Sequence, residues 1–259
     1  MNDPTPSPHR ARYPSLENRV VFISGGATGI GASLVRAFHD QGARVAFCDI
    51  DREAGPALAA ALHGRQPALF LDCDVTDVGA LGAAIAAARS RLGPVGVLVN
   101  NAADDRRETI DAVTSDSFDR MVAVNLKHQV FAAQAVAADM AALGGGSIIN
   151  LGSTSWMIKA AGFPVYQACK AAVRGLTRAL ARDLGKRNIR VNSLVPGWVM
   201  TDKQLRLWVK PESAAQIDAG QCLPGRVMAD DIASMALFLA ADDSKMCSAQ
   251  DFIVDAGWV

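Results

Sequence analysis

A tyrosine and a lysine four residues apart could form a proton-transfer site. Tyr166 and Lys170 bound the segment Tyr-Gln-Ala-Cys-Lys, and Ser153 lies thirteen residues before the tyrosine. Positions i and i+4 share one face of a helix, so the phenol and the ammonium would face the same cleft. A free tyrosine has a pKa of about 10, but a nearby lysine favours the phenolate, and a serine hydroxyl can hold a substrate oxygen. By itself the pair is more typical of a solvated or packed helix face, so its interpretation depends on the surrounding elements.

Short β-branched or aromatic runs alternate with helical patterns, which predicts an α/β fold with a mostly parallel, doubly wound sheet of seven strands. The predicted strands lie at residues 20–23, 44–48, 68–71, 95–99, 147–151, 189–195 and 252–254. The predicted helices lie at residues 30–41, 78–92, 115–142 and 229–240, with one more carrying Tyr166 and Lys170. Such sheets bind ligands at the carboxyl ends of their strands, so functional residues should follow the strands directly.

The segment after the first strand, Ser24-Gly-Gly-Ala-Thr-Gly-Ile-Gly31, has the glycines of a dinucleotide-binding turn. They allow a tight turn and a close backbone approach, and the pyrophosphate would lie at the N-terminus of the following helix. Asp49 ends the second strand, where a carboxylate could accept both ribose hydroxyls of an adenosine and repel a 2′-phosphate. This favours NAD, although Arg52 keeps NADP use open. The alternative role of Asp49 is to cap the next helix, in competition with Asp51.

Polar and small residues also follow the third and fourth strands. Asp74-Val75 could hold the adenine edge of a nucleotide, and the small side chains of Asn101-Ala102-Ala103 would let the backbone pass along a cofactor. Each segment is equally typical of a cap or turn.

The whole-chain composition excludes several classes of protein. The 259 residues include 26 basic and 26 acidic side chains, so neither a nucleic-acid-binding stripe nor an acidic tail is indicated. The five cysteines are scattered, which favours reduced thiols and argues against a structural metal site. Residues 1–15 predict a flexible tail without the apolar run of a signal peptide, and no later apolar run is long enough to cross a membrane. We therefore expect a cytoplasmic protein with one dinucleotide-binding and catalytic domain at 16–259.

Taken together, these motifs resemble the short-chain dehydrogenase/reductase family from about Arg19 to Val259. The matching residues are Ser24-Gly-Gly-Ala-Thr-Gly-Ile-Gly31, Asp49, Asp74, Asn100-Asn-Ala-Ala103, Asn125, Ser153, Tyr166, Lys170 and Pro196-Gly197. The resemblance implies a Rossmann-type sheet, a nicotinamide cofactor and a homotetramer. Ser24 stands where the family most often has threonine, and Ala103 where it usually has glycine.

The resemblance also implies roles for individual residues. Tyr166 would be the general base in oxidation, Lys170 would hold the nicotinamide ribose and lower the pKa of Tyr166, and Ser153 would position the substrate hydroxyl. Asn125 would hold a water that relays protons from Lys170. The positions implied to contact the cofactor are Gly25, Thr28, Gly29, Ile30, Gly31, Asp49, Asp74, Val75, Asn101, Ala102, Tyr166, Lys170, Pro196, Gly197, Val199 and Thr201.

Four stretches resemble bacterial aldose 1-dehydrogenases, which oxidise C1 of sugars such as D-galactose, L-arabinose or D-xylose to aldonolactones. They are Gly152–Trp156, Pro196–Thr201, Gln221–Arg226 and Phe252–Val259. The predicted substrate contacts are Asp104, Ser153, Trp156, Tyr166 and Trp198, with segment 201–225, which includes Trp208, as a lid.

Asp104 stands where the aldose 1-dehydrogenases often have asparagine, so the sugar specificity could differ. The charge run Asp104–Arg107 could bind hydroxyls, although such a run is usually a solvated loop. One alternative is a dehydrogenase of another secondary alcohol, such as a polyol or a hydroxy acid anchored by Lys203 or Arg206. A remoter alternative is a non-catalytic NAD-binding protein.

Overall fold

A seven-stranded sheet forms the centre of the protein. In the computed structural model, which describes residues 11–62 and 67–259, every strand pairing is parallel. The strands are β1 (Val20–Ser24), β2 (Arg44–Asp49), β3 (Leu69–Asp72), β4 (Val97–Asn100), β5 (Gly146–Leu151), β6 (Ile189–Pro196) and β7 (Asp251–Val254). Their order across the sheet is β3-β2-β1-β4-β5-β6-β7. Successive strands are added on one side of β1 up to β3 and on its other side from β4 onward. The predicted doubly wound parallel sheet is therefore confirmed.

The central strands are buried on both faces because helices cover both sides of the sheet. All five residues of β1 are buried, and their side chains alternate between two apolar cores. Phe22 belongs to one core and Ile23 to the other, as the two-residue period of a strand requires.

Nine α-helices within the described residues connect and cover the strands. They are α1 (Gly29–Asp40), α2 (Ala54–Ala61), α3 (Val78–Leu92), α4 (Ser115–Val122), α5 (His128–Ala142), α6 (Pro164–Leu184), α7 (Asp202–Leu207), α8 (Pro211–Gly220) and α9 (Ala229–Ala240). Helix α1 packs against α9 on one face of the sheet, and α3 packs against α5 on the other. The sequence analysis expected a helix after the second strand, at the place of α2, without giving its bounds, and it did not predict α7 or α8.

The long helix predicted at 115–142 is interrupted. Helices α4 and α5 are separated by a π-helical turn over Ala123–Lys127, which contains Asn125. A π turn adds one residue to a helix and is often found at functional sites. A pattern with the period of an α-helix does not reveal such a turn.

The first ten residues of the tail predicted at 1–15 lie outside the described part of the chain. Its last residues are bound to the domain: the Tyr13 amide donates to Gln41 Oε1 at 2.9 Å, and Ser15 Oγ accepts from the Asp242 amide at 3.0 Å. Along the described residues, none of the helices has the length and apolar composition needed to cross a bilayer.

Candidate active site

The carboxyl ends of the central strands border a cavity of about 610 Å³. Residues that follow β4, β5 and β6 line it, together with residues of α6 and α7. This is the edge at which a doubly wound sheet binds its ligands. Of the predicted site residues, the cavity is lined by Ile30, Asn101, Ser153, Tyr166, Lys170, Pro196, Gly197, Trp198, Val199 and Thr201.

Ser153, Tyr166 and Lys170 come together on one wall of this cavity. Ser153 follows β5, and α6 carries the other two residues on one face. The Lys170 side chain is buried, and its Nζ donates to the Leu151 carbonyl at 2.8 Å and lies 5.6 Å from the Tyr166 ring centroid. Burial lowers the pKa of Lys170 to about 8. The ammonium is therefore still mainly charged at neutral pH but gives up its proton more readily than an ordinary lysine, as in many proton-transfer sites.

The pKa of Tyr166 is raised, whereas the resemblance implied that Lys170 would lower it. Burial is the main cause that raises its pKa above the ordinary value, and the nearby Asp105 carboxylate raises it further. The strongest opposing influences are a hydrogen bond with Ser153 and the charge of Arg107, rather than Lys170. The Lys170 ammonium is instead held by a backbone carbonyl. Without a bound cofactor, the phenol is thus protonated at neutral pH.

Asn125 connects the π turn to the loop after β4. Its side chain is fully buried, its Oδ1 accepts from the Asp104 amide at 3.1 Å, and its Nδ2 donates to the carbonyls of Asp104 and Met121, both at 3.0 Å. The Asn125 carbonyl accepts from Gln129 Nε2 at 3.1 Å. The side chain therefore fixes the backbone of this loop, and the water-holding role implied for Asn125 stays a prediction.

The glycine turn is packed tightly against the segment after β4. A Cβ on Gly25, whose φ is +67°, would lie 2.7 Å from the Ala102 Cα, and one on Gly31 would lie 1.8 Å from the Gly25 carbonyl oxygen. The side chain of Asn101 donates to the carbonyls of Ser24 and Gly25 at 3.1 and 2.7 Å. Positions 25 and 31 therefore accept only glycine, and the turn exposes backbone atoms rather than side chains.

The N-terminus of α1 fits an anionic ligand. Its N-cap, Thr28, makes no side-chain capping hydrogen bond, and the first turn, which begins at Gly29, has no acidic residue. The free N–H groups and the helix dipole both favour a phosphate at such a position. The turn and helix thus fit the pyrophosphate of a dinucleotide.

Asp49 lies at the end of β2, beside the glycine turn. Its Oδ2 accepts from the Ala27 amide at 2.9 Å, and its Oδ1 accepts from the Asp51 amide at 3.1 Å. Asp51, and not Asp49, caps the start of α2, because its Oδ1 accepts from the Ala54 amide at 2.8 Å. The Arg52 side chain pairs with Asp72 at 2.8 Å. Asp49 thus retains lone pairs for a ribose, and Arg52 is occupied.

The other predicted nucleotide residues take up turn geometry. The exposed Asp74 accepts from the amide and the hydroxyl of Thr76 at 2.9 and 2.8 Å, and Val75 is buried beneath it. The Ser24 hydroxyl accepts from the amides of Asn101 and Ala102, both at 3.1 Å. Serine at position 24 therefore supplies the hydroxyl that threonine would.

Two of the five predicted substrate contacts do not line the cavity. Trp156, the last residue of a short 3-10 helix, does not itself line the cavity. Asp104 does not line it either and pairs with Arg106 at 3.5 Å. Asp104 is turned away because Asn125 holds its backbone on both sides. In its place, the cavity is lined by Asp105 and Arg107.

The segment after β6 closes the cavity from the other side. Trp198, Trp208 and Trp258 all line it, and the rings of Trp198 and Trp258 lie 6.5 Å apart. Trp258 was not among the predicted substrate contacts, although it lies in the stretch Phe252–Val259 that resembles the aldose 1-dehydrogenases. Gln204 lies on the cavity side of α7 and was not predicted. It follows Thr201 by three residues, a capping pattern that marks a helix start and could have indicated it.

Helix α7 is bound to the loop after β4 by side chains. Asp105 accepts from Lys203 and, at 2.6 Å, from Gln204 Nε2. The other end of the Gln204 amide accepts from Trp198 Nε1 at 3.0 Å. Burial alone would raise the pKa of Asp105, but Lys203, Gln204 and Arg107 hold it below its ordinary value. The charged Asp105 side chain thus connects the loop after β4 to α7, and both segments cover the cavity.

Comparison with known proteins agrees with this geometry. A family model described as Enoyl-(Acyl carrier protein) reductase matches residues 25–259. The chain is 46% identical to the probable galactose dehydrogenase GalD of Rhizobium meliloti, covering 95% of this chain and 97% of that protein. It is 45% identical to D-xylose 1-dehydrogenase of Caulobacter vibrioides, covering 96% and 98%.

A solved structure shows the same fold with a nicotinamide nucleotide bound. It is a blue fluorescent protein from a metagenomic library in complex with NADPH, with a TM-score of 0.88 and 35% identity, covering 95% of this chain and 99% of that one. Together with the sheet order and the Ser153, Tyr166 and Lys170 wall, these matches identify the chain as a member of the short-chain dehydrogenase/reductase family, an oxidoreductase that acts on a CH–OH group with a nicotinamide cofactor.

Proposed function

We propose that the protein oxidises C1 of a cyclic aldose, of the D-galactose, L-arabinose or D-xylose type, to an aldonolactone with NAD. The observation that carries this proposal is a single cavity lined both by Ser153, Tyr166 and Lys170 and by three tryptophans. Indole faces suit the C–H faces of a sugar ring, and polar groups beside them can orient its hydroxyls. The names of the relatives that are 45–46% identical support the same substrate class.

The chain supplies the proton transfer and the positioning. A bound nicotinamide supplies the hydride acceptor. Ser153 holds the C1 hydroxyl and stabilises the carbonyl oxygen that develops from it, while Tyr166 accepts the hydroxyl proton. Lys170 would hold the nicotinamide ribose, and its charge, 5.6 Å from the Tyr166 ring centroid, favours the phenolate.

Two features of the chain support NAD rather than NADP. Asp49 ends β2 beside the glycine turn, where its carboxylate could bind the adenosine ribose and would repel a 2′-phosphate. The turn at Ser24–Gly31 contains no basic residue, and Arg52 is paired with Asp72. Among the described residues of this region, Arg52 is the basic side chain that a 2′-phosphate would have to recruit, and it would have to leave Asp72 to do so.

A dehydrogenase of another secondary alcohol is the second candidate. A hydroxy acid would need a basic anchor, and the two residues suited to this by sequence are poorly placed. Lys203 is paired with Asp105, and Arg206 does not line the cavity. Arg107 does line the cavity and could anchor a carboxylate, so a polyol and a hydroxy acid both stay alternatives, whereas a non-catalytic role is disfavoured by the intact set of Asn125, Ser153, Tyr166 and Lys170.

The test is cofactor reduction, followed by absorbance, with NAD or NADP and a panel of aldoses, polyols and hydroxy acids. Saturable turnover of one aldose with NAD is the expected result. Activity only on a polyol or an acid would contradict the sugar assignment and leave the catalytic assignment in place. The homotetramer implied by the family resemblance stays a prediction, which sedimentation of the purified protein tests.

A further inference from the structure

The structure separates the four charged residues that follow β4. Asp104 and Arg106 pair with each other, and the Arg106 side chain is 61% exposed. Asp105 is bound to Lys203 and Gln204 of α7. Arg107 lines the cavity, as Asp105 does, but unlike the other three its side chain makes no hydrogen bond or ion pair with any other described residue.

Arg107 is held in place by aromatic rings. Its Cζ lies 3.7 Å from the ring centroid of Phe163 and 5.0 Å from that of Trp208. Stacking of this kind fixes the plane of a guanidinium and leaves its N–H groups free at the edge. The five donors of Arg107 are therefore oriented but unused, beside the catalytic wall that contains Tyr166.

A second donor in the same lining is also unused. The Trp208 Nε1 is buried and has no hydrogen-bond partner in the described part of the chain. A buried donor without an acceptor is costly, so such groups in native proteins usually meet an acceptor from water or a ligand. Arg107 and Trp208 together present donors to the cavity that no acceptor of the described residues satisfies.

We propose that Arg107, with Trp208 Nε1 beside it, determines substrate specificity by donating hydrogen bonds to hydroxyl oxygens of the aldose remote from C1. This inference rests on the proposed function, because it names the residue that reads the sugar. The proposed substrate is a neutral aldose, in line with the names of the relatives, and a sugar acid is one outcome of the test, because a guanidinium also binds carboxylates.

The experiment measures kcat and KM of Arg107→Met, Arg107→Lys and the matched control Arg106→Met with the preferred aldose and its monodeoxy analogues. We expect KM for the aldose to rise about 10- to 100-fold in Arg107→Met, as for loss of a hydrogen bond to a charged group, with a smaller change in kcat. Arg107→Lys keeps the positive charge but loses the planar pair of guanidinium donors. Its KM for the aldose should therefore lie between those of the unmodified protein and Arg107→Met. Arg106→Met should behave as the unmodified protein.

The deoxy analogues separate recognition from a merely structural role. An analogue that lacks the contacted hydroxyl should be a poor substrate of the unmodified protein and should lose nothing further in Arg107→Met. Trp208→Phe keeps the ring that stacks on Arg107 and removes only the N–H, so we expect a rise in KM of only a few-fold. Unchanged NADH affinity shows that each variant is folded.

Three results would overturn the proposal. One is a kcat/KM for Arg107→Met within twofold of the unmodified protein. Another is an equal loss on the aldose and every deoxy analogue, which would make Arg107 only a support for α7. The third is a preference for hexuronates that disappears in Arg107→Met, which would make it a carboxylate anchor. If the unmodified protein uses no aldose, the proposed function fails by itself.

Discussion

The proposed nucleotide end and the proposed substrate end of the site are built from different kinds of contact. At the nucleotide end (Ser24–Gly31, Asp49 and Asn101–Ala102), backbone approaches backbone so closely that a Cβ on Gly31 would lie 1.8 Å from a carbonyl oxygen. At the substrate end (residues 103–109 with α7 and α8), side chains such as Asp105 and Gln204 join segments outside the sheet. Cofactor binding is thus coupled to folding, whereas substrate recognition can change without disturbing the core.

The chemistry lies between the two ends, so Tyr166→Phe should have the largest effect on turnover. It removes the proton acceptor and keeps the ring, and we expect kcat to fall by about 10³-fold or more, as for loss of a general base. NADH affinity, measured by fluorescence titration, should be nearly unchanged. Unchanged turnover would remove Tyr166 as the base.

Gly31→Ala tests whether cofactor binding and folding are coupled. The added methyl cannot fit against the Gly25 carbonyl, so we expect about 3 kcal/mol lower free energy of unfolding and a marked loss of NADH affinity. Gly82→Ala, on α3 with nothing within 4 Å of the new Cβ, is the control and should be neutral or stabilising by up to about 1 kcal/mol. Denaturant unfolding measures both. Equal stabilities of the two variants would contradict the coupling.

Asp49→Ala should act mainly on the cofactor, although it also removes the acceptor of the Ala27 and Asp51 amides. We expect NAD affinity to fall about 10-fold or more, as for loss of hydrogen bonds to a charged acceptor, and the preference over NADP to narrow. The control Asp51→Ala removes the cap of α2, which lowers stability by about 1 kcal/mol without changing the choice of cofactor. If Asp49→Ala leaves both cofactor affinities as they were, the ribose assignment is wrong.

Asp105→Asn should have the smallest effect, and it is specific to the substrate end. Loss of the charge that holds Lys203 should raise the substrate KM several-fold, on the order of a charged hydrogen bond at a partly exposed site. Asp105 raises the pKa of Tyr166, so its neutralisation should lower that pKa. The acid limb of kcat/KM against pH should then move to lower pH.

The paired variant Arg107→Met should shift the acid limb of kcat/KM against pH in the opposite direction. Because the charge of Arg107 lowers the pKa of Tyr166, its removal should move the acid limb to higher pH. Asp104→Asn should move the limb in the same direction as Asp105→Asn, but less, since Asp104 is the weaker influence. Shifts of the same sign in Asp105→Asn and Arg107→Met would mean that lid movement, and not charge, controls the profile.

The sequence predicted what depends on periodicity and on the sheet. The order of strands and helices, the glycine turn and the shared face of Tyr166 and Lys170 all follow from local patterns that the sheet brings together. The register of β1 on β4 pairs Ser24 with Asn100, so motifs distant in sequence meet without any special side chain.

The remaining features depend on the orientation of single side chains. Whether Asp104 or Asp105 faces the cavity is decided by Asn125, which holds the backbone of Asp104. The pKa of Tyr166 depends on burial and on Asp105, neither of which is visible from the spacing of Tyr166 and Lys170. Trp258 reaches the cavity through the course of the chain after β7, for which the sequence has no pattern.

The π turn at Ala123–Lys127 imposes a constraint on chain length. Deletion of one residue within it would restore a regular α-helix, which by itself is the more favourable backbone. The deletion would also rotate one half of the helix relative to the other by about 100°, the angle per residue of an α-helix. Asn125 could then no longer bind the Asp104 backbone while α5 kept its packing, so this position should tolerate many substitutions better than one missing residue.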